Sequence, residues 1–283
     1  MTKFNRFFIL FPTLIILTGC GGAIQSSQTN QESTQVQASN VSAAQPLDNK
    51  NFADVLKTYV DERALVNYQE LQKNRQQLDK YNASLGVVSA STFQSWSEAE
   101  QIAFLINAYN SFTLESIIDQ KPLKKSIRDI FGVWKLRKFN VAGESKTLDN
   151  IEHNTLRTNY NEPRIHAALV CAAISCPPLR NEPYTGEKLD AQLDDQTRQF
   201  LNGPHGFRID RTENKVYLSS IFKWFGEDWK KTYGVDGKFT GNDNERAVLN
   251  FISKYVSSED KEYLVKGNYK VDYLNYDWAL NKQ

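Results

Sequence analysis

The chain lacks a block of basic residues. Its 34 Lys and Arg nearly cancel its 33 Asp and Glu, for a formal net charge of +1. That balance leaves no electrostatic footprint for nucleic acid, so none is expected as a partner. An internal repeat is also missing, which excludes solenoid and propeller architectures. No apolar run is long enough to cross a bilayer as a helix: the N-terminal run from Phe7 to Leu17 is too short, and Pro12 and Thr13 interrupt it. Histidine and cysteine number three each, so chemistry that depends on them draws on few positions. No cofactor is expected. What is present is ordinary globular composition, 40% hydrophobic and 24% charged, enough for one large domain or two small ones.

Lys3 and Arg6 precede the N-terminal apolar run, which ends in Leu17-Thr18-Gly19-Cys20. This is the pattern of an export signal, and its last four residues resemble the bacterial lipobox. The resemblance implies cleavage after residues 1–19 and lipidation of Cys20. Gly21 follows, not Asp, which implies outer-membrane sorting in a Gram-negative cell. The expected location is therefore the cell envelope, with the membrane as partner through the lipid on Cys20. Residues 20–47 read as a flexible tether rich in Gln, Ser, Thr, Asn and Ala, with Glu32 its only charge. Such a segment buries too little apolar surface to offset its ordering entropy. As a coil its ends lie roughly 30 Å apart.

From residue 48 the apolar pattern becomes helical. Phe52, Val55, Leu56 and Tyr59 fall at i, i+3, i+4 and i+7. A second, polar helix is expected from Tyr68 to Leu85, ended by Gly86. Ser97 and Glu100 have capping-box spacing ahead of Ile102, Leu105, Ile106, Tyr109 and Phe112, and Pro122 closes that helix. Within it Asn107 and Asn110 read as hydrogen-bonded struts. Lys135–Val141 followed by Gly143-Glu144 suggests a hairpin. Thr147 then caps a helix carrying Glu152 and His153, whose adjacent side chains diverge by about 100° and cannot pair with each other. Further on, Leu189–Leu201 is helical and Gly203–Gly206 is a loop in which His205 reads as solvated. Phe207–Asp210 and Lys215–Leu218 form a hairpin, Ser219–Tyr233 and Asn242–Val256 are helices, and Tyr269–Tyr273 alternates like an edge strand. The late aromatics Trp224, Phe225, Trp229, Tyr233, Tyr273, Tyr276 and Trp278 read as core and its border rather than as a glycan site. The fold class is accordingly α+β: one helix-rich domain over 48–283 with a small antiparallel sheet.

The stretch from Arg164 to Arg180 stands apart. It holds His166, Cys171 and Cys176, and Pro177 and Pro178 stop it abruptly. Its alanines favour a helix, while a short Pro-bounded apolar run fits a buried strand equally well. Either way His166 and Cys171 are five residues apart and fall on different faces, so they form no local pair. Five regular steps also separate the cysteine Cα atoms by more than the bridging limit of about 7 Å. A Cys171–Cys176 bridge, which an oxidising envelope permits, therefore requires a turn between them.

Several segments together resemble the DUF547 family, a domain of unknown function. They are Ala103–Asn110, Leu148–His153, Pro163–Arg180, Leu189–Leu193, Leu218–Trp229 and Tyr276–Asn281. The resemblance runs from about residue 97 to the C-terminus. It implies frequent export or lipidation in bacterial members and brings no settled activity.

Three readings of the histidines and cysteines follow. In a structural or binding reading, the cysteines are reduced or bridged and the histidines are hydrogen-bonded, with a small-molecule or peptide ligand of unknown identity. In a thiol-hydrolase reading, Cys176 or Cys171 is the nucleophile, His153 or His166 the base, and Glu152 or Asn107 orients that base, as in papain-like enzymes. No Gly-rich oxyanion loop flanks either cysteine. In a zinc reading, His153, His166, Cys171 and Cys176 supply ligands, though their spacing matches no standard zinc motif. Arg157, Arg164 and Arg180 either bind an anionic ligand or pair with local acids.

Overall fold

The computed structural model describes residues 45–283. The expected signal segment 1–19, Cys20 and all but the last residues of the tether 20–47 lie outside the described residues.

Helix α1 (Lys50–Tyr59) buries Phe52, Val55 and Leu56, the stripe its period specifies. The polar helix expected over 68–85 is two, α2 (Tyr68–Lys73) and α3 (Gln76–Val87), with the break at Asn74. The break lets both Leu71 and Leu78 reach the core, where neither is exposed. Gly86 lies inside α3 and does not end it. A Cβ there would come within 2.9 Å of the Asn140 Cβ, so the glycine permits close approach of a strand. A short helix α4 (Ala90–Ser95) leads into α5 (Glu98–Ile118). Ser97 caps α5 by accepting from the Glu100 N–H at 3.2 Å. The Glu100 carboxylate does not close the box: it accepts the Gly186 N–H at 2.7 Å, a tertiary partner that outcompetes the local one. Nearly every residue of α5 from Ile102 to Ile118 is buried, as in a helix enclosed on all sides. It packs against α2, α3 and a later helix.

Strands β1 (Phe139–Val141) and β2 (Glu144–Lys146) pair antiparallel through Ala142 and Gly143, both at positive φ, as a two-residue hairpin turn requires. The chain then makes a single helical turn, α6 (Ile165–Ala168), before running extended from Leu169. Helix α7 (Leu189–Asn202) follows, then β3 (Phe207–Asp210) and β4 (Lys215–Leu218). The helix expected over Ser219–Tyr233 is broken: α8 (Ser220–Phe225) passes into a 3₁₀ turn at Gly226–Trp229 and a last turn at Lys230–Tyr233. Helix α9 (Asp243–Ile252) carries the full Asn242/Glu245 capping box. Helix α10 (Ser258–Lys266), absent from the sequence reading, is capped by Ser257 and ended by Gly267 in the left-handed region. Strand β5 (Lys270–Tyr273) is the expected edge strand, but it pairs with β4 in parallel. The sheet is thus mixed rather than antiparallel, because α8 to α10 carry the chain back before it pairs.

Two apolar clusters result. One surrounds α5 with Phe52, Leu78, Tyr81 and Ile106. The other gathers Phe200, Val216, Phe222, Trp229 and Phe251. The segment 163–180 runs along their seam, with Ile165 and Ala168 in the first cluster and Ala167 in the second. The C-terminal tail returns to the same seam. Ile174 N–H donates to Ala279 O at 2.8 Å, and Asn281 N–H to Ala172 O at 3.1 Å. The Asp277 N–H donates to Ser175 Oγ at 2.8 Å. These bonds hold the turn between the two cysteines, where Ala172 sits at φ 62°.

Candidate functional site

At the seam lies a cleft of about 340 Å³, within the range of small-molecule sites. Its lining includes Glu152, His153, His166, Cys171 and Cys176, five of the candidate site residues read from the sequence, but not Asn107. Tyr109, Trp134, Lys135, Asp149, Trp224, Phe225, Tyr276 and Trp278, not assigned to a site from the sequence, share it.

Each element brings its residues for a local reason. The segment after Thr147 is capped as expected, with Asn150 N–H donating to Thr147 Oγ1 at 3.1 Å. It winds as a π-helix over Asn150–Leu156, a wider turn that is common at functional sites and not the expected α-helix. It presents Glu152 and His153 to the cleft together. No hydrogen bond joins the two side chains. From α5, Tyr109 reaches the same floor. Burial, then the charge of Glu152 and a hydrogen bond to it, push the Tyr109 hydroxyl well above its ordinary pKa. Tyr109 therefore stays protonated and donates.

The two histidines differ. His153 Nδ1 lies 3.0 Å from Arg157 Nη1. Arginine can only donate, so Nδ1 is the acceptor in this contact. Its Nε2 lies 3.8 Å from Asp149 Oδ1. His166 is nearly buried and places Nε2 2.7 Å from Asp228 Oδ2. Its ring stacks on Phe225 at 4.5 Å between centroids and leans on Trp229. Nε2–H donates to Asp228, and Nδ1 has no hydrogen-bond partner among the described residues. Arg157 grips both oxygens of Asp228, at 2.6 and 2.9 Å, and lies over Phe225. Burial alone would raise the Asp228 carboxyl, but the bonds from His166 and Arg157 outweigh it and hold the group far below the ordinary carboxylate range.

Cys171 and Cys176 are joined by a disulfide, with Cα atoms 6.2 Å apart. Between them Ala172 takes a positive φ and the Cys176 N–H donates to Ala173 O at 3.1 Å, so the turn that a bridge requires is present. The Tyr276 hydroxyl lies 3.2 Å from both sulfurs. Neither bridged sulfur carries a proton, so Tyr276 is the donor and shares one hydrogen between them. Burial, then the charge of Glu152, raise the Tyr276 pKa and keep that hydrogen in place.

Several expectations need correcting. The zinc reading fails: the cysteines are bridged, and among the described residues no three His, Cys, Asp or Glu side chains are grouped to hold a metal. Asn107 is not an orienter. Its amide is consumed by the backbone of Tyr184, donating at 2.8 Å and accepting at 2.9 Å. It is the strut also expected, and Asn110 does the same between Ala168 and Val170. Glu152 makes no hydrogen bond to a histidine, and Asp228 occupies the orienting position on His166. His205 is not a free loop residue, because its Nδ1 lies 3.1 Å from Ser175 Oγ. The three arginines are committed to acids: Arg157 to Asp228 and Glu227, Arg164 to Glu162 and Asp190, Arg180 to Glu182 and Asp195. The aromatics divide. Trp229 is core, but Trp224 is 45% exposed and stacks on Trp278, which meets Trp134 edge-on.

A family model described as "Protein of unknown function, DUF547" matches residues 93–201. The match covers less than half of the chain. It includes both histidines of the cleft, both cysteines and Glu152, and it stops before Trp224, Asp228, Tyr276 and Trp278, which the sequence resemblance had included. No curated protein and no solved structure matches the chain.

Proposed function

We propose that this protein is an envelope lipoprotein, anchored through Cys20, whose DUF547-like domain binds a small ligand in the aromatic cleft. The observation that carries the binding reading is the open wall formed by Trp134, Trp224, Tyr276 and Trp278 facing the polar floor of Glu152, His153 and Asp149. Large aromatics left partly exposed next to convergent polar groups are the usual composition of a ligand site. Two carboxylates against the single Lys135 favour a ligand that brings hydrogen-bond donors, such as hydroxyls or an amine, and one apolar face. The test is a fluorescence titration with small saccharides and amines, in wild type and in Trp278→Ala. Saturable quenching in wild type that disappears in the variant supports the reading; no response to any member of the set counts against it. Anchoring is tested apart: Cys20→Ser should move the protein from the membrane to the soluble fraction, since several acyl chains together anchor stably.

A second reading is favoured by one observation. His166, hydrogen-bonded to Asp228 outside the cleft, lines the same cleft as both cysteines, and an imidazole oriented by a carboxylate is what a thiol nucleophile needs beside it. In that reading Cys176 or Cys171 is the nucleophile and His166 the base. The bridge withholds the thiolate, so thiol-hydrolase activity would appear only after reduction. Release of product from thioester and peptide substrates, with and without prior reduction, tests it.

A further inference from the structure

The two sulfurs of the bridge are held unequally. Cys176 Sγ accepts the Cys171 backbone N–H at 3.0 Å as well as the Tyr276 hydroxyl. Cys171 Sγ has the shared Tyr276 hydroxyl alone. Exposure is unequal too: Cys176 is 8% exposed, while Cys171 is only partly buried. Both line the cleft, so a small or extended thiol entering it meets the bridge without unfolding the domain. In thiol–disulfide exchange the attacked sulfur must be accessible, and the departing sulfur leaves faster when its thiolate is stabilised. Here accessibility belongs to Cys171 and hydrogen-bond stabilisation to Cys176.

We propose that Cys171–Cys176 is an exchange-active disulfide that accepts electrons from a dithiol reductant through attack at Cys171. The incoming thiolate bonds to Cys171 Sγ as the Cys171–Cys176 bond breaks. The electron pair of that bond goes to Cys176, whose thiolate is received by the Cys171 N–H and the Tyr276 O–H. The second thiol of the reductant then attacks its own sulfur in the mixed disulfide and frees Cys171. Two electrons pass from the dithiol to the protein, the reductant ends as a disulfide, and its two protons end on the cysteine thiols or in solvent. This activity does not depend on a ligand binding to the aromatic wall.

The experiment uses the full lipoprotein in detergent, treated with reduced glutathione under native conditions, acid-quenched and alkylated with N-ethylmaleimide at mildly acidic pH. Glutathione has one thiol, so its attack yields a mixed disulfide, which a short reaction time and the acid quench trap. Fragment spectra of the tryptic peptide spanning residues 165–180 then locate each adduct. Glutathione on Cys171 with the alkyl group on Cys176 is the expected result, and glutathione on Cys176 overturns the proposal. Reduction by dithiothreitol should be much faster than global unfolding, and equal rates would overturn it. Tyr276→Phe should slow reduction roughly five-fold, the worth of one hydrogen bond to the departing sulfur. An unchanged rate in a folded variant would contradict the assigned role of that hydroxyl.

Discussion

Trp224 and Trp229 stand five positions apart in the chain, and they end in different environments. Trp229 lies among Phe222, Phe251 and His166 and is 2% exposed. Trp224 lies against Tyr276 and Trp278 and faces the cleft. Both belong to one aromatic-rich segment, and the 3₁₀ turn between them redirects the chain. An aromatic in the second apolar cluster contributes area removed from water. One on the cleft wall leaves that area available to something else. The same contrast separates Trp96, buried near Phe93 and Phe104, from Trp134.

Substitution breaks this comparison most directly. Trp229→Ala should cost about 3–5 kcal/mol, the usual price of emptying an aromatic site in a packed core. Trp224→Ala should stay within roughly 1 kcal/mol. Urea denaturation of the two variants measures both, and equal losses would mean that the cleft wall is core after all.

Next in size is the bridge. Replacing Cys171 and Cys176 together with Ser removes a short closed loop and should cost about 2 kcal/mol by the loop-entropy relation. The tail bonds to Ala172 and Ile174 remain, so the variant should fold. Its denaturation midpoint, compared with the oxidised wild type, reads the effect.

A smaller, pH-dependent effect belongs to Asp228. Its carboxyl is depressed below the ordinary 3.8 in the folded state by His166 and Arg157, against the opposing effect of burial. A depressed carboxyl stabilises the fold fully above its unfolded pKa and loses that contribution as pH falls below about 4. The wild-type urea midpoint should therefore drop between about pH 5 and pH 3 more steeply than that of Asp228→Asn. Parallel curves would show that the His166–Asp228–Arg157 group does not bear on stability in that window.

Much of the helical scaffold was legible because it is written in local periods. The Phe52, Val55, Leu56 stripe, the long helix closed before Pro122, the Asn242/Glu245 box and the Phe207–Leu218 hairpin each depend on neighbours within a few residues. The site was legible in part. His153, His166, Glu152, Cys171 and Cys176 fall within two segments, and their residue types marked them. Tyr276 and Asp228 did not announce themselves: Tyr276 meets sulfurs 100 and 105 residues away, and Asp228 meets a histidine 62 residues away. Both stand inside segments quoted for the family resemblance, the one signal available. Competition explains other misses. Glu100 chose Gly186 over its own cap, and Asp228 took the place given to Glu152 or Asn107.

The central claim is that the cleft wall exists to receive a ligand, and the five tryptophans carry their own control. Three line the cleft (Trp134, Trp224, Trp278) and two are buried (Trp96, Trp229). An NMR titration that follows the five indole N–H signals, using a panel of small saccharides, amines and aromatic acids, reads them separately. The account predicts that a hydroxyl- or amine-bearing compound shifts the Trp134, Trp224 and Trp278 signals together while those of Trp96 and Trp229 stay still. Unmoved cleft signals across the panel, or shifts spread evenly over all five, would contradict it.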